Sequence, residues 1–308
     1  MKGISFVKPD YPGERRIALL PDDLRNIGAI PYGEIFIETG FGSELGIGDE
    51  EYSSLGCKIV DRSEAFRCEY IFSLKLISEA DYSYLKAGAK IIGWMHPLGS
   101  GTVFYKFALA NNIAFFDIDS VMPRVYFPSG EIVNITELPK HFLWENSYLA
   151  GIASVENAIK LAFGADDILG YRTCVLGCGS VSQGAFNELS VKGLRPRIFY
   201  RKTLDIFYGS VGEYDIIVNG VEMDTDGYHL IGKEQLLQTK NNVLLIDAAA
   251  DAGRAIEGTE YRSLEKPFGL TFGRRYFMVN NAPTLRFQEA STVISKVVST
   301  LIITKKYF

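Results

Sequence analysis

The chain has 308 residues, of which 47% are hydrophobic and 22% charged, with a formal net charge of −5. That composition suits a packed protein of two ordinary domains, and an acidic balance without a basic run argues against nucleic acid as a main partner. No apolar stretch approaches the roughly 20 residues that span a bilayer, so a membrane protein is not expected.

In chain order, the first half alternates strand and helix. Residues 4–7 read as a first strand rather than a signal peptide, because Lys8 and Pro9 interrupt the apolar run. A helix is expected at 20–25, opened by Asp22 and Asp23 where carboxylates suit the helix dipole. Strands are expected at 34–38, 58–60, 70–74, 90–94 and 113–116, with helical segments near 50–55, 80–85 and 102–110. Residues 121–139 hold Pro123, Pro128, Gly130 and Pro139 and read as turns. A long helix at 141–163 follows. The second half offers strands at 174–176, 197–200, 214–220, 242–247 and 276–279. It closes on a helix at 287–305 with an apolar face from Val293, Ile294, Val297, Val298, Leu301 and Ile302. The alternation implies an α/β fold of two doubly wound Rossmann-like domains with an active-site crevice between them. The expected division is a substrate-binding domain at 1–138, joined by the C-terminal helix 285–308, and a dinucleotide-binding domain at 139–284.

The most informative stretch runs from Cys174 to Phe186. It reads as an apolar strand, a glycine turn and the start of a helix. Gly177 makes the tight turn, Gly179 lets a pyrophosphate approach the backbone, and Gly184 lets the helix pack on the sheet. The phosphates then meet the first N–H groups of the helix, at Ser180 and Val181. A lone glycine pattern is weak, but this one sits between a strand and a helix, as a dinucleotide site requires. The alternative is a glycine turn of some other α/β protein. Past the next strand an NAD site carries a carboxylate for the ribose, whereas this chain has Arg201 and Lys202 and no carboxylate before Asp205. Two cations suit a 2′-phosphate, so NADP(H) is expected; the bland reading is a pair of exposed loop cations. Asn219 and Gly220 close a further strand near the cofactor.

The four cysteines make no CxxC pair and the three histidines are scattered. No metal and a reducing cytoplasm are therefore expected. In open α/β sheets, ligands bind beyond the carboxyl ends of strands. Arg16, Lys75, His96 and Asp251 all lie at such places. Each alone has an ordinary structural reading, as a solvated lysine or a hydrogen-bonded half-buried imidazole. Asp117 and Asp119 are a further pair of strand-end carboxylates that could meet a substrate ammonium, or be plain loop residues.

Together, Arg16-Ile17-Ala18-Leu19-Leu20-Pro21, Lys75, His96, the glycine turn and Asp247-x-x-x-Asp251-x-Gly253 resemble the alanine dehydrogenase and pyridine-nucleotide transhydrogenase superfamily over nearly the whole chain. Several stretches look closer to its carboxyethylornithine synthase branch. They are Phe6-Val7-Lys8-Pro9 with Tyr11-Pro12, Phe72 to Ile77, Asn146-Ser147, Tyr200-Arg201-Lys202-Thr203, and Asn280-Asn281-Ala282-Pro283. Where alanine dehydrogenases have K-x-K-E-P and an acidic ribose binder, this chain has Ser73-Leu74-Lys75-Leu76-Ile77 and Tyr200-Arg201.

The resemblance implies an NADPH-dependent oxidoreductase that condenses pyruvate with the side-chain amine of ornithine or lysine and reduces the imine. In that reading Arg16 binds the pyruvate carboxylate, Lys75 polarises the keto oxygen or takes a proton from the incoming amine, His96 is the general acid and base, and Asp251, near the nicotinamide, orients a polar group or water. The cofactor lies on Gly177, Gly179, Ser180, Val181, Gly184, Arg201, Lys202, Asn219 and Gly220. A homo-oligomer is expected, as is common for crevice enzymes. One alternative is an amino-acid dehydrogenase of the alanine dehydrogenase type that uses free ammonia. Another is a nucleotide-binding module resembling a transhydrogenase subunit, although such a module has no use for Lys75 and His96.

Overall fold

The computed structural model describes residues 1–27, 33–118, 123–136, 141–164, 168–223 and 227–303, with the backbone alone at 141–143 and 301–303. The chain divides into two units, Met1–Leu143 with Phe287–Phe308, and Trp144–Arg286.

The first unit contains β1 (Gly3–Val7), α1 (Pro21–Arg25), β2 (Glu34–Glu38), α2 (Asp49–Ser53), β3 (Lys58–Val60), α3 (Arg62–Ala65), β4 (Tyr70–Ser73), β5 (Lys90–Gly93), α4 (Thr102–Ala110), β6 (Ala114–Asp117), β7 (Arg124–Tyr126) and β8 (Ile132–Asn134). Its eight strands run in the order β3-β2-β1-β4-β5-β6-β7-β8. The pairs from β3 to β6 are parallel, and β6-β7 and β7-β8 are antiparallel. The order reverses at β1 and β4, which places a topological switch point at their carboxyl ends.

Two expectations needed correction here. Within the expected turn region 121–139, the described residues 123–136 do more than turn: β7 and β8 form a hairpin through Pro128-Ser129-Gly130, with the Phe127 N–H donating to the Glu131 carbonyl at 2.9 Å. Strands of three residues are too short for alternation to show in the sequence. The helical stretch near 80–85 is a 3-10 segment, Glu79–Tyr84, the usual form of so short a piece. The turn at Asp61, whose side chain accepts from the Glu64 N–H at 2.8 Å, caps a one-turn helix, α3, that the sequence reading passed over.

Both faces of this sheet are covered. Ile4, Phe6, Ile37, Phe72 and Phe116 lie in one core, while Val7, Phe36, Ile71, Ile91 and Phe115 lie in the other. The period of two thus yields apolar residues on both sides, as a parallel sheet between helices demands. α4 covers one face through Phe104 and Ala108. The other face takes Ile294, Val297 and Val298 from the final helix.

The second unit begins in α5 (His141–Phe163). It continues through β9 (Thr173–Leu176), α6 (Ser180–Val191), β10 (Arg197–Phe199), α7 (Leu204–Ser210), β11 (Ile216–Asn219), α8 (Lys233–Gln238), β12 (Leu244–Asp247), β13 (Phe268–Thr271) and β14 (Arg274–Phe277). The last helix, α9 (Phe287–Ile303), returns to the first unit. The strand order is β10-β9-β11-β12-β14-β13. It is parallel except for β13, which the sequence reading did not find and which pairs antiparallel with β14. This sheet too has a core on each face: α5 and α6 cover Val175, Val218 and Ile246, while α7 and α8 cover Leu176, Ile217 and Leu245. The α/β class and the doubly wound character of each unit stand as expected.

Candidate active site

At the switch point of the first sheet, Arg16 and Lys75 meet on one carboxylate. Arg16 is 4% exposed. Its Nε and Nη2 donate to Glu14 Oε1 and Oε2 at 2.8 and 2.6 Å, and its backbone N–H adds a third bond at 2.9 Å. Lys75, just beyond β4, brings Nζ to 3.8 Å from Glu14 Oε2 and lies 5.0 Å from the Tyr11 ring centroid. The Glu14 side chain is wholly buried. Burial pushes its pKa up, but the Arg16 hydrogen bonds and the charges of Arg16 and Lys75 outweigh this and hold it down at about 2. A two-cation, one-anion cluster is the result, with net positive charge where an anionic substrate would arrive. Glu14 was missed in the sequence; its spacing of two from Arg16 was the available signal.

His96 follows β5 and is exposed, and it adopts a left-handed backbone with φ of 43°. Such a conformation is strained for a residue with a β-carbon and persists only where its surroundings enforce it. The His96 carbonyl accepts from the N–H groups of Gly99 and Gly101, both at 2.9 Å, which closes the turn into α4. The carboxylate of Asp117 accepts from the Met95 N–H at 3.0 Å. Asp117 is 7% exposed, and this bond ties it to the strand end that carries His96. Asp119 lies outside the described residues.

In the second unit the glycine turn stands at the β9/β11 switch point. Gly177 has φ of 97°, and a β-carbon there would press on Ser182 Oγ and Val221. Gly179 is the N-cap of α6 with no side-chain cap, and a β-carbon on it would meet nothing within 4 Å. The first turn of α6 therefore presents N–H groups to open space, beside a cavity of about 810 Å³. Gly177, Gly179, Gly220, Tyr200 and Arg201 line that cavity, together with apolar residues such as Leu204 and Val221. Polar N–H groups at one end and an apolar slot at the other fit a dinucleotide. Ser182, buried inside the turn, lies 3.1 Å from the Leu176 carbonyl and 3.3 Å from that of Gly220, which ties β9 and β11 to the helix start. Arg201 and Lys202 are both exposed, and neither makes an ion pair among the described residues. Arg201 lines the cavity, and Lys202 is not among its lining residues.

Two sequence expectations change here. A β-carbon at Gly184 would run into the Tyr148 carbonyl of α5, so this glycine permits α6 to approach a helix, not the sheet. Gly151 of α5 reciprocates against the Val181 carbonyl. The side chain of Asn219 is fully buried and turned to protein: Nδ2 donates to the Val221 carbonyl at 3.0 Å and to Asp247 Oδ1 at 2.9 Å, while Oδ1 accepts from the Val221 N–H at 3.0 Å. It shapes the loop that walls the cavity.

Asp251 is 7% exposed and accepts from the Met223 N–H at 2.7 Å. Its neighbour Asp247 is the buried member of the pair. Burial pushes Asp247 up to about 7, against the opposing Asn219 hydrogen bond and aided by the Asp251 charge. Asp247 Oδ2 has no hydrogen-bond partner among the described residues. Asp247 thus holds a proton near neutrality. Among the described residues no group of three His, Cys, Asp or Glu is arranged to hold a metal ion, and no helix is long and apolar enough to cross a membrane.

Comparison with known proteins adds the family. Residues 7–125 match the model described as alanine dehydrogenase/PNT, N-terminal domain. The fold resembles a solved L-alanine dehydrogenase, with a TM-score of 0.80 at 18% identity over 97% of this chain and 89% of that one. The N(5)-(carboxyethyl)ornithine synthase of Clostridium botulinum (strain Hall) is 38% identical over 98% of this chain and 94% of the relative. That of Lactococcus lactis subsp. lactis is 41% identical over 96% and 93%. At 38 and 41% identity, with near-complete coverage in both directions, the chain belongs to the N(5)-(carboxyethyl)ornithine synthase family.

Proposed function

We propose that this chain condenses pyruvate with the side-chain amine of ornithine or lysine and reduces the resulting imine with NADPH. The observation that carries the reading is the Arg16–Glu14–Lys75 cluster at the first switch point, in a chain of this family. Arg16 binds the pyruvate carboxylate through its planar fork, held in orientation by Glu14. Lys75 stands over the keto oxygen and draws electron density from the carbon that the amine attacks. His96 takes a proton from the nitrogen of the adduct and returns one to the departing hydroxyl as water leaves. Asp251, in the turn after β12, orients a polar group or water, and Asp247 shares that turn. A bound dinucleotide supplies the hydride.

The residues that hold it are the backbone N–H groups of Ser180 and Val181, the open side of Gly179, the cavity-lining backbones of Gly177 and Gly220, and the wall that Asn219 shapes. Gly184 serves the same site by letting α6 sit against α5. Arg201, exposed at the cavity edge beside Lys202, favours the 2′-phosphate of NADPH over the bare ribose of NADH.

The test follows NADPH oxidation with pyruvate plus ornithine, lysine or ammonium in parallel. Consumption with a diamino acid but not with ammonium is expected. Consumption with ammonium alone would return the chain to the amino-acid dehydrogenases, and none at all, despite nucleotide binding, would make it a binding module. Arg201→Ala is expected to raise the KM for NADPH about tenfold or more and to change that for NADH little. Equal changes for the two would remove Arg201 from the phosphate.

A further inference from the structure

The motif Lys8-Pro9 with Tyr11-Pro12 has no part in the chemistry above, and neither has a half-buried ion network beneath it. Arg62 donates through Nε and Nη2 to Asp81 at 2.9 and 2.7 Å, and through Nη1 to Glu38 Oε2 at 3.1 Å. The same Nη1 reaches the Lys8 carbonyl at 3.1 Å, while the Lys8 N–H donates to Glu38 Oε2 at 2.7 Å. Both polar groups of the Lys8 backbone are therefore pinned, and Pro9 restricts the next φ. A network of this kind aims a side chain.

That side chain lines a cavity of about 470 Å³ at the carboxyl ends of β1 and β2, which has Arg16 and Glu14 in its wall. The size lies within the range of small-molecule sites, about 300–1,000 Å³. Most of its charges are already matched. Arg62 is held by Glu38 and Asp81, Arg16 by Glu14, and Arg15 by Glu44 at 2.9 Å. Lys8 and Asp10 are left, one cation and one anion, with no ion pair to any described residue. A zwitterionic α-amino acid end needs that complement.

We infer that this cavity binds the α-amino acid end of the amine substrate, Lys8 holding its α-carboxylate and Asp10 its α-ammonium. The inference rests on the condensing reaction proposed above. The methylene chain then leads the reacting amine toward the wall that holds Arg16, where the keto acid sits. Ammonium and simple alkylamines lack the groups that Lys8 and Asp10 recognise, so the cavity selects diamino acids.

The experiment measures KM in the full-length chain and, separately, calorimetric binding of L-ornithine without cofactor. Lys8→Gln is expected to raise the KM and Kd for L-ornithine about tenfold or more, with the KM for pyruvate within about twofold. With 1,4-diaminobutane, which has no carboxylate, wild type and Lys8→Gln are expected to agree within about twofold. Asp10→Asn is expected to show the converse, a loss with L-ornithine that vanishes with 5-aminopentanoate. An unchanged ornithine KM in both variants, or equal losses with the truncated amines, would overturn the assignment and leave the condensation reading intact. If the wild type turns over no diamino acid, the reaction itself falls. Ornithine binding that weakens in Lys8→Gln would still support the cavity, and binding that is absent or unaltered would dismiss it.

Discussion

Glu14 decides the character of the first-unit site. Its carboxylate is wholly buried yet charged, because two cations and three Arg16 hydrogen bonds outweigh desolvation. A carboxyl whose folded pKa is depressed to about 2 from 4.5 contributes stability above the unfolded value and loses it as pH falls through the folded one. The contribution is on the order of 3 kcal/mol at neutral pH. Glu14→Gln is therefore expected to be less stable than wild type above pH about 5, with the gap closing between pH about 4.5 and 2. Denaturant unfolding across that range measures it, and a gap constant with pH would contradict the ionised state. Asp247 runs the other way. Raised to about 7, it favours folding at low pH, and that contribution fades as pH rises through neutrality.

At the scale of elements, the N-cap glycine of α6 and a glycine inside that helix carry different loads. A side chain at Gly179 enters open space at the N-terminus of α6, whereas one at Gly184 enters the backbone of α5. Gly179→Val is expected to unfold within about 2 °C of wild type and to weaken NADPH binding about tenfold or more. Gly184→Val is expected to lower the apparent Tm by roughly 5–10 °C through overpacking. Thermal unfolding with and without nucleotide separates the two. An equal loss of stability in both variants would place Gly179 in the packing rather than at the phosphates. The same contrast explains a misreading: spacing shows that Gly184 needs to be small, but only the fold shows which neighbour it faces.

The whole molecule depends on α9, which leaves the second unit and completes the first. Ser291 and Ser295 are fully buried, and their hydroxyls accept from the N–H groups of Ile17 and Leu20 at 3.0 and 2.8 Å. Ile294, Val297 and Val298 join the core around Phe6 and Phe72. Burial of those three side chains contributes on the order of 6 kcal/mol as an upper figure. Truncation before Phe287 is expected to unfold residues 1–143 and to leave nucleotide binding by residues 144–286. Limited proteolysis and NADPH titration test this. A truncated chain with both units intact would show α9 to be dispensable.

By itself the sequence determined whatever depends on neighbours a few residues apart. The strand, turn and helix around Gly177 are local, so their chemistry was legible, as were the parallel strands whose apolar runs cover two faces. The strand-end positions of Lys75 and His96 follow from the same local order. Tertiary structure decided everything that joins distant segments. Arg62 reaches the carbonyl of Lys8 from 54 positions away, and Ser291 reaches Ile17 from 274. The gathering of Arg16 and Lys75 on Glu14, the antiparallel hairpin of β7 and β8, and the inward turn of Asn219 toward Asp247 belong to the same class. Periodicity reports which side of an element is apolar. A charged side chain acquires its partner only when the sheet order brings two strand ends together, and no local pattern encodes that order.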